Sequence, residues 1–150
     1  RSADIAYEDM SGKTEYDEIE DPLPFDIEAP IVEIEDRDYA FWYRDLVEEM
    51  QKYEGKTVKF KAIVAVNGRM PSNTFVAGRH IMTCCEADIK YSAVVCRWSG
   101  AFRPKNKQWV TLIGTITIQY SRIYGKKGPI INVTALESAE KPEEEVVTFY

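Results

Sequence analysis

A chain of 150 residues that is 45% apolar and 12% aromatic is long enough for one folded core, too short for two ordinary domains, and too apolar for a disordered polymer. No apolar run approaches the roughly 18 residues of a membrane-spanning helix, and no signal-peptide core is visible. The net charge of −6 is unevenly placed: residues 1–38 hold 14 acidic and 3 basic side chains, a net of −11, and residues 39–150 carry a net of +5.

Such a split predicts two parts, an acidic extended linker or stalk over 1–38 and a folded domain over 39–150. The leader contains Pro22, Pro24 and Pro30 and shows no helical period. Its last stretch, "PIVEIEDRD", also suits an edge strand, because Ile31, Val32 and Ile34 are apolar. The chain begins at Arg1 rather than Met, so a natural N-terminus upstream is expected, where any anchor or secretion signal would lie.

A helix is predicted next. Asp38 stands where an N-cap belongs and Gly55 where a C-cap glycine belongs. Between them Trp42, Leu46, Met50 and Tyr53 recur at helical spacing, with Tyr43 and Val47 beside them, which is the stripe of a core-facing helix. From Lys56 the period changes to that of strands. "KTVKFKAIVAV" is the first, and "NGRMPSN" is a loop by its Asn67-Gly68 and Pro71. "TFVAGRHIMTC" is the second, with Gly78 expected at a bulge, and "YSAVVCRW" is the third. "QWVTLIGTITIQY" is a long fourth strand, expected to bend at Gly114; "YGKKGP" is a turn and "PIINVTALE" the fifth strand. The tail, "EKPEEEVVTFY", is charged and then aromatic. One helix followed by five antiparallel strands predicts a mainly β fold, a small OB-like five-stranded barrel. The usual OB arrangement has its helix between the third and fourth strands; here the clear helix comes first.

All three cysteines and the sole histidine fall in "RHIMTCCEADIKYSAVVCRW". Cysteine thiolates are strong ligands for zinc and copper(I), and a carboxylate or imidazole can complete the shell. Cys84, Cys85, Asp88 and His80 are therefore the candidate metal ligands. Against this, neighbours on a strand point to opposite faces, so Cys84 and Cys85 can act together only if the strand ends at Thr83–Cys84. The plainer alternative makes Cys85 and Cys96 small buried apolar residues and pairs Arg79 with Asp88 as an ion pair ordering the turn. A thiol-redox pair is a further reading, as is a bridge from Cys96 to Cys84 or Cys85 if their strands are neighbours, but no CxxC accompanies them. Lys59, Lys61, Arg97, Arg103, Lys105 and Lys107 would serve an oligonucleotide-binding surface; alternating lysines are read first as a solvent face, the acidic leader would repel phosphate, and nucleic acid is not the expected partner. No phosphate-binding loop and no nucleophile motif around His80 are present, so the expectation is a non-enzymatic protein.

The run "RHIMTCCEAD", with "YEGKTVKFKAIV" before it and "QWVTLIGTI" and "KPEEE" after it, resembles the C-terminal soluble domain of an uncharacterised bacterial family of small membrane proteins described as permease subunits. The resemblance covers about residues 36–150 and is most specific at Arg79, Thr83-Cys84-Cys85 and Ala87-Asp88. It implies an upstream membrane segment absent from this chain, a membrane-anchored protein with an extracytoplasmic soluble domain, and a multi-spanning permease as partner. Some relatives carry His in place of the first Cys, or a His-rich loop near their membrane helices, which implies handling of zinc or copper. Arg79, Thr83 and Cys96 are then structural or docking residues. A purely structural adaptor docking on the permease is the competing reading. This chain departs from the family after Lys141-Pro142, where "EEEVVTFY" replaces the usual aromatic.

Overall fold

The computed structural model describes residues 23–150; the greater part of the acidic leader, residues 1–22, lies outside the described residues. Seven strands and one α-helix follow one another as β1 (Val32–Glu33), α1 (Tyr39–Glu48), β2 (Thr57–Ala65), β3 (Thr74–Met82), β4 (Lys90–Arg97), β5 (Trp109–Ser121), β6 (Lys126–Ser138) and β7 (Val146–Thr148). Strands β2 to β6 close on themselves. β2 pairs antiparallel with both β3 and β5, β3 with β4, and β5 with β6, and the ring is completed where β4 runs parallel to β6. This is the predicted OB-like five-stranded barrel, and its pairing order leaves no free edge within the ring.

Two short strands are added outside the ring. β1 lies parallel to β2, with Val32 opposite Val58, so the edge-strand reading of "PIVEIEDRD" is realised at these two residues. β7 lies parallel to β3, with Val147 opposite Ile81. The sequence pattern did not predict β7, since three residues behind a run of glutamates carry no usable period.

The barrel interior follows the period-2 rule: Val58, Phe60, Ala62 and Val64 of β2 alternate inward, as do Phe75, Ala77 and Ile81 of β3. α1 covers one end. Trp42 and Leu46 are fully buried, and Tyr39, Trp42 and Phe60 form an aromatic cluster with centroids 4.8–5.6 Å apart. The hydroxyls of Tyr39 and Tyr43 donate to the carbonyls of Ser92 and Ala93, at 2.8 and 3.3 Å. These carbonyls belong to the half of β4 that has no β6 partner, because β4–β6 pairing spans only Val95–Arg97. The helix ahead of the barrel thus covers a splay between strands, and residues 98–108, between β4 and β5, form no helix. Among the described residues no helix is long and apolar enough to cross a membrane.

Three local expectations are corrected. α1 ends at Glu48, and Met50–Tyr53 forms a 3-10 turn, so the stripe reaches Tyr53 but leaves Val47 about half exposed. Asp38 stands at the N-cap position without a capping bond; its carboxylate accepts from the Tyr150 hydroxyl at 3.1 Å. Gly78 is not a bulge: it sits in register between Ile63 and Ala93. It is glycine because the Ser92 carbonyl oxygen passes 2.1 Å from where a Cβ would stand. The register shift falls instead at Ile113/Gly114, where the long β5 bends as expected.

Candidate metal centre

β3 ends at Met82, and the chain turns through Thr83–Cys85 into one 3-10 turn at Glu86–Asp88 before β4 begins at Lys90. The turn is tied by its own aspartate. Asp88 accepts the Thr83 amide on Oδ1 at 2.8 Å and the Cys84 amide on Oδ2 at 2.9 Å. The Asp88 amide in return donates to the Cys85 carbonyl at 3.0 Å. An aspartate in a turn commonly accepts an amide two residues further on; this one reaches back four and five residues instead. Here it stops the strand before the two cysteines, so the opposite-face rule no longer separates them.

The Cys84 thiol donates to Asp88 Oδ2 at 3.0 Å, and the Cys84 and Cys85 sulfurs stand 3.9 Å apart. One donor atom from each of Cys84, Cys85 and Asp88 lies within 4.8 Å of the others, a spacing that can hold a metal ion. Both cysteines are free and exposed, and Asp88 is half-buried. The electrostatics are those of a thiol proton donated to a carboxylate. The hydrogen bond to Asp88, then the neighbouring Cys85, raises the Cys84 thiol from 9.0 to about 11. The same thiol, with the Thr83 and Cys84 amides, lowers the Asp88 carboxyl from 3.8 to about 2. The proton sits on sulfur and the charge on the carboxylate, an arrangement that a cation can replace directly.

The other sequence candidates are placed elsewhere. His80 is half-buried on β3, opposite Tyr91 and with its ring 5.2 Å from that tyrosine's; it is not in the cluster of donor atoms. Cys96 is fully buried, its sulfur near the Val94 carbonyl at 3.5 Å and its thiol pushed up by burial. It pairs across the hairpin with Phe75, whereas the cysteine turn follows Ile81↔Lys90 at the other end, about 20 Å of strand away. A bridge from Cys96 to either cysteine is therefore excluded by register, although β3 and β4 are neighbours. Cys85, read as a buried apolar alternative, is exposed.

Arg79 does not pair with Asp88. It occupies an inward position of β3, completely buried, with its guanidinium 5.0 Å over the Trp109 ring. Its Nη1 donates to Asp36 Oδ1 at 2.8 Å and its Nη2 to the Glu144 carbonyl at 3.1 Å. The arginine thus joins the segment before α1 and the C-terminal tail to the barrel wall. Nothing local in the sequence announces these partners, which lie 43 and 65 residues away along the chain.

No curated protein matches the chain. In structure the chain is similar to the Schizosaccharomyces pombe Stn1–Ten1 complex, at 13% identity and TM-score 0.42 over 81% of this chain and 86% of that one. It is also similar to a replication protein A heterotrimer bound to single-stranded DNA, at 12% identity and TM-score 0.32 over 57% and 58% of the two chains. Neither similarity carries over what those proteins bind. A family model does match, from residue 10 to residue 148. By that match over nearly its whole length, the chain belongs to the family described as the DUF1980 C-terminal domain.

Proposed function

We propose that this domain is the soluble part of a membrane-anchored, permease-associated protein. Its chemical task in this reading is transient coordination of a soft transition metal, zinc or copper(I), by Cys84 and Cys85 with Asp88 assisting. The observation that carries the metal reading is the convergence of the three donor atoms within 4.8 Å. Magnitudes support it. Two thiolates on a tetrahedral ion with bonds of about 2.3 Å lie about 3.8 Å apart, and the two sulfurs stand at 3.9 Å. A sulfur and a carboxylate oxygen on the same ion lie about 3.5 Å apart, so the 3.0 Å thiol–carboxylate contact need open by only about half an ångström.

Three donors leave a fourth position for water or for a group on another molecule. On an exposed loop that suits exchange rather than permanent storage. The permease partner and the membrane anchor rest on the resemblance at Arg79, Thr83-Cys84-Cys85 and Ala87-Asp88. The reading is of a binding protein, not an enzyme.

The test is titration of the fully reduced chain with zinc and, anaerobically, with copper(I). Uptake of about one equivalent is expected, lost in Cys85→Ser. No uptake by a reduced protein whose Cys84 and Cys85 both label freely would end the metal reading and leave the structural adaptor.

A further inference from the structure

On the barrel surface away from the cysteine turn, a groove of about 670 Å³ opens between the end of β4, the middle of β6, the β5–β6 turn and the β2–β3 loop. Its volume is that of a small-molecule site. Among the described residues its walls include Arg97 and Arg122 and no acidic side chain. Among the described residues no carboxylate forms an ion pair with either arginine. The contrast with β2 is direct: Lys59 and Lys61 border a smaller hollow of about 270 Å³ whose walls include Glu33, Glu35 and Asp36. Of these two hollows, the groove is the one whose positive side chains can receive an anion.

The groove also presents rings, and that of Trp98 is held in place. Trp98 donates its indole N–H to the Phe102 carbonyl at 2.6 Å. Its ring lies so close over Gly100 that a Cβ there would come within 2.1 Å of it. Arg103 donates to the Trp98 carbonyl at 3.0 Å and to Asn73 Oδ1 at 2.7 Å, holding Asn73, with φ of 63°, in the wall. Arg97 is braced by Gln119 Oε1 at 2.9 Å. Tyr120, at 62% exposure, is one of the few large apolar side chains left in water. Arginines for an anion, aromatic faces for a flat ring and the Asn73 and Asn132 amides for polar edges all border one hollow.

We infer that this groove binds a nucleotide unit, its phosphate on Arg97 and Arg122 and its base against Trp98 and Tyr120. Such a unit comes either as a free nucleotide or within a single strand, and both present the same phosphate and ring. The site is separate from the metal loop, and neither reading depends on the other.

The experiment uses the complete 150-residue chain and fluorescence anisotropy at low and moderate salt. The probes are a labelled ten-residue oligothymidylate and an abasic strand of equal length, with ATP as competitor. The oligothymidylate is expected to bind with an affinity that falls as salt rises; Arg97→Ala and Arg122→Ala should each weaken binding, and the two together should reduce the log–log salt slope by about 0.7. Tyr120→Ala, a change at an exposed side chain, should weaken oligothymidylate about tenfold and leave the abasic strand unaffected. Displacement by ATP would identify the free nucleotide as a sufficient source, and displacement only by unlabelled strand would identify the polymer. Equal affinity for the abasic strand, or full binding by the Arg97→Glu/Arg122→Glu double variant, would overturn the inference. So would the absence of salt-dependent binding.

Discussion

The thiol of Cys84 donates to Oδ2 of Asp88 at 3.0 Å, and the same carboxylate accepts the amides of Thr83 and Cys84. One aspartate therefore both shapes the turn and sets the protonation of its first cysteine. Asp88→Asn should bring the Cys84 thiol down from about 11 toward its ordinary 9.0. The gain in thiolate is partly offset by the lower nucleophilicity of a less basic thiolate, so alkylation of Cys84 at pH 8 should rise about tenfold. Mass spectrometry of iodoacetamide-treated protein in a Cys85→Ser background measures it; an unchanged rate would show that the hydrogen bond does not govern the thiol.

Acid should undo the same turn. The Asp88 carboxyl is depressed to about 2, chiefly by the Cys84 thiol and then by the Thr83 and Cys84 amides. A depressed carboxyl contributes to stability above its unfolded value, and that contribution is lost as pH falls through about 2. The Thr83 and Cys84 amides should accordingly stay protected from hydrogen exchange at pH 4 and lose protection as pH approaches 2, while core β2 amides persist longer. Protection independent of pH over that window would contradict the role given to Asp88.

Arg79 is fully buried and its only carboxylate partner among the described residues is Asp36, itself 46% exposed. Asp36→Asn keeps a hydrogen-bond acceptor but removes the counter-charge. Because Asp36 is half in water, the cost should be about 2 kcal/mol, below the 3–5 kcal/mol of a fully buried pair. Urea denaturation reads this out, with the exposed Glu33→Gln as a control expected to lie within about 0.5 kcal/mol of the parent. Equal stability of the two variants would mean that Trp109 and the Glu144 carbonyl suffice to hold the arginine.

Two glycines make a matched pair for thermal unfolding. A Cβ at Gly78 would stand 2.1 Å from the Ser92 carbonyl oxygen, whereas at Gly68 it meets nothing within 4 Å. Gly78→Ala should cost about 3 kcal/mol or more, because strand backbone must move. Gly68→Ala should be close to neutral. A tolerated Gly78→Ala would disprove the close crossing of β3 and β4 at that point.

Removal of residues 146–150 tests the tail. It would delete β7, expose the Ile81 edge and take away Phe149, whose ring lies 5.2 Å from Phe41 and 4.7 Å beneath the Arg44 guanidinium. A loss of about 2–3 kcal/mol is expected from the apolar surface uncovered, chiefly at Val147 and Phe149. An unchanged urea midpoint would mark the tail as an ornament on the barrel.

The strand periods of β2 to β6, the bend at Gly114 and the apolar stripe of α1 were legible because each is a local pattern repeated along one element. Gly78 was legible as a special position but not as the right one. A bulge and a close backbone crossing both call for glycine, and only the neighbouring strand distinguishes them. Val47 and Asp38 were misread for the same reason, since what faces a side chain is decided by distant segments. In the candidate site, the residue types Cys84, Cys85 and Asp88 were evident, and their geometry hung on where β3 stops. His80 shared the period of Cys84 only while the strand was assumed to continue.

By itself, the sequence determined the five barrel strands, the leading helix and the set of soft ligands, because these follow from residue chemistry and from periods of two and 3.6. Tertiary structure decided three things. It turned the chain at Thr83, so that two neighbouring thiols and one carboxylate meet. It took Arg79 away from Asp88 and gave it to Asp36 and the Glu144 carbonyl. It gathered Arg97, Trp98, Tyr120 and Arg122 into one groove. Each depends on contacts between residues far apart in the chain, where register and loop closure place side chains that no local pattern connects.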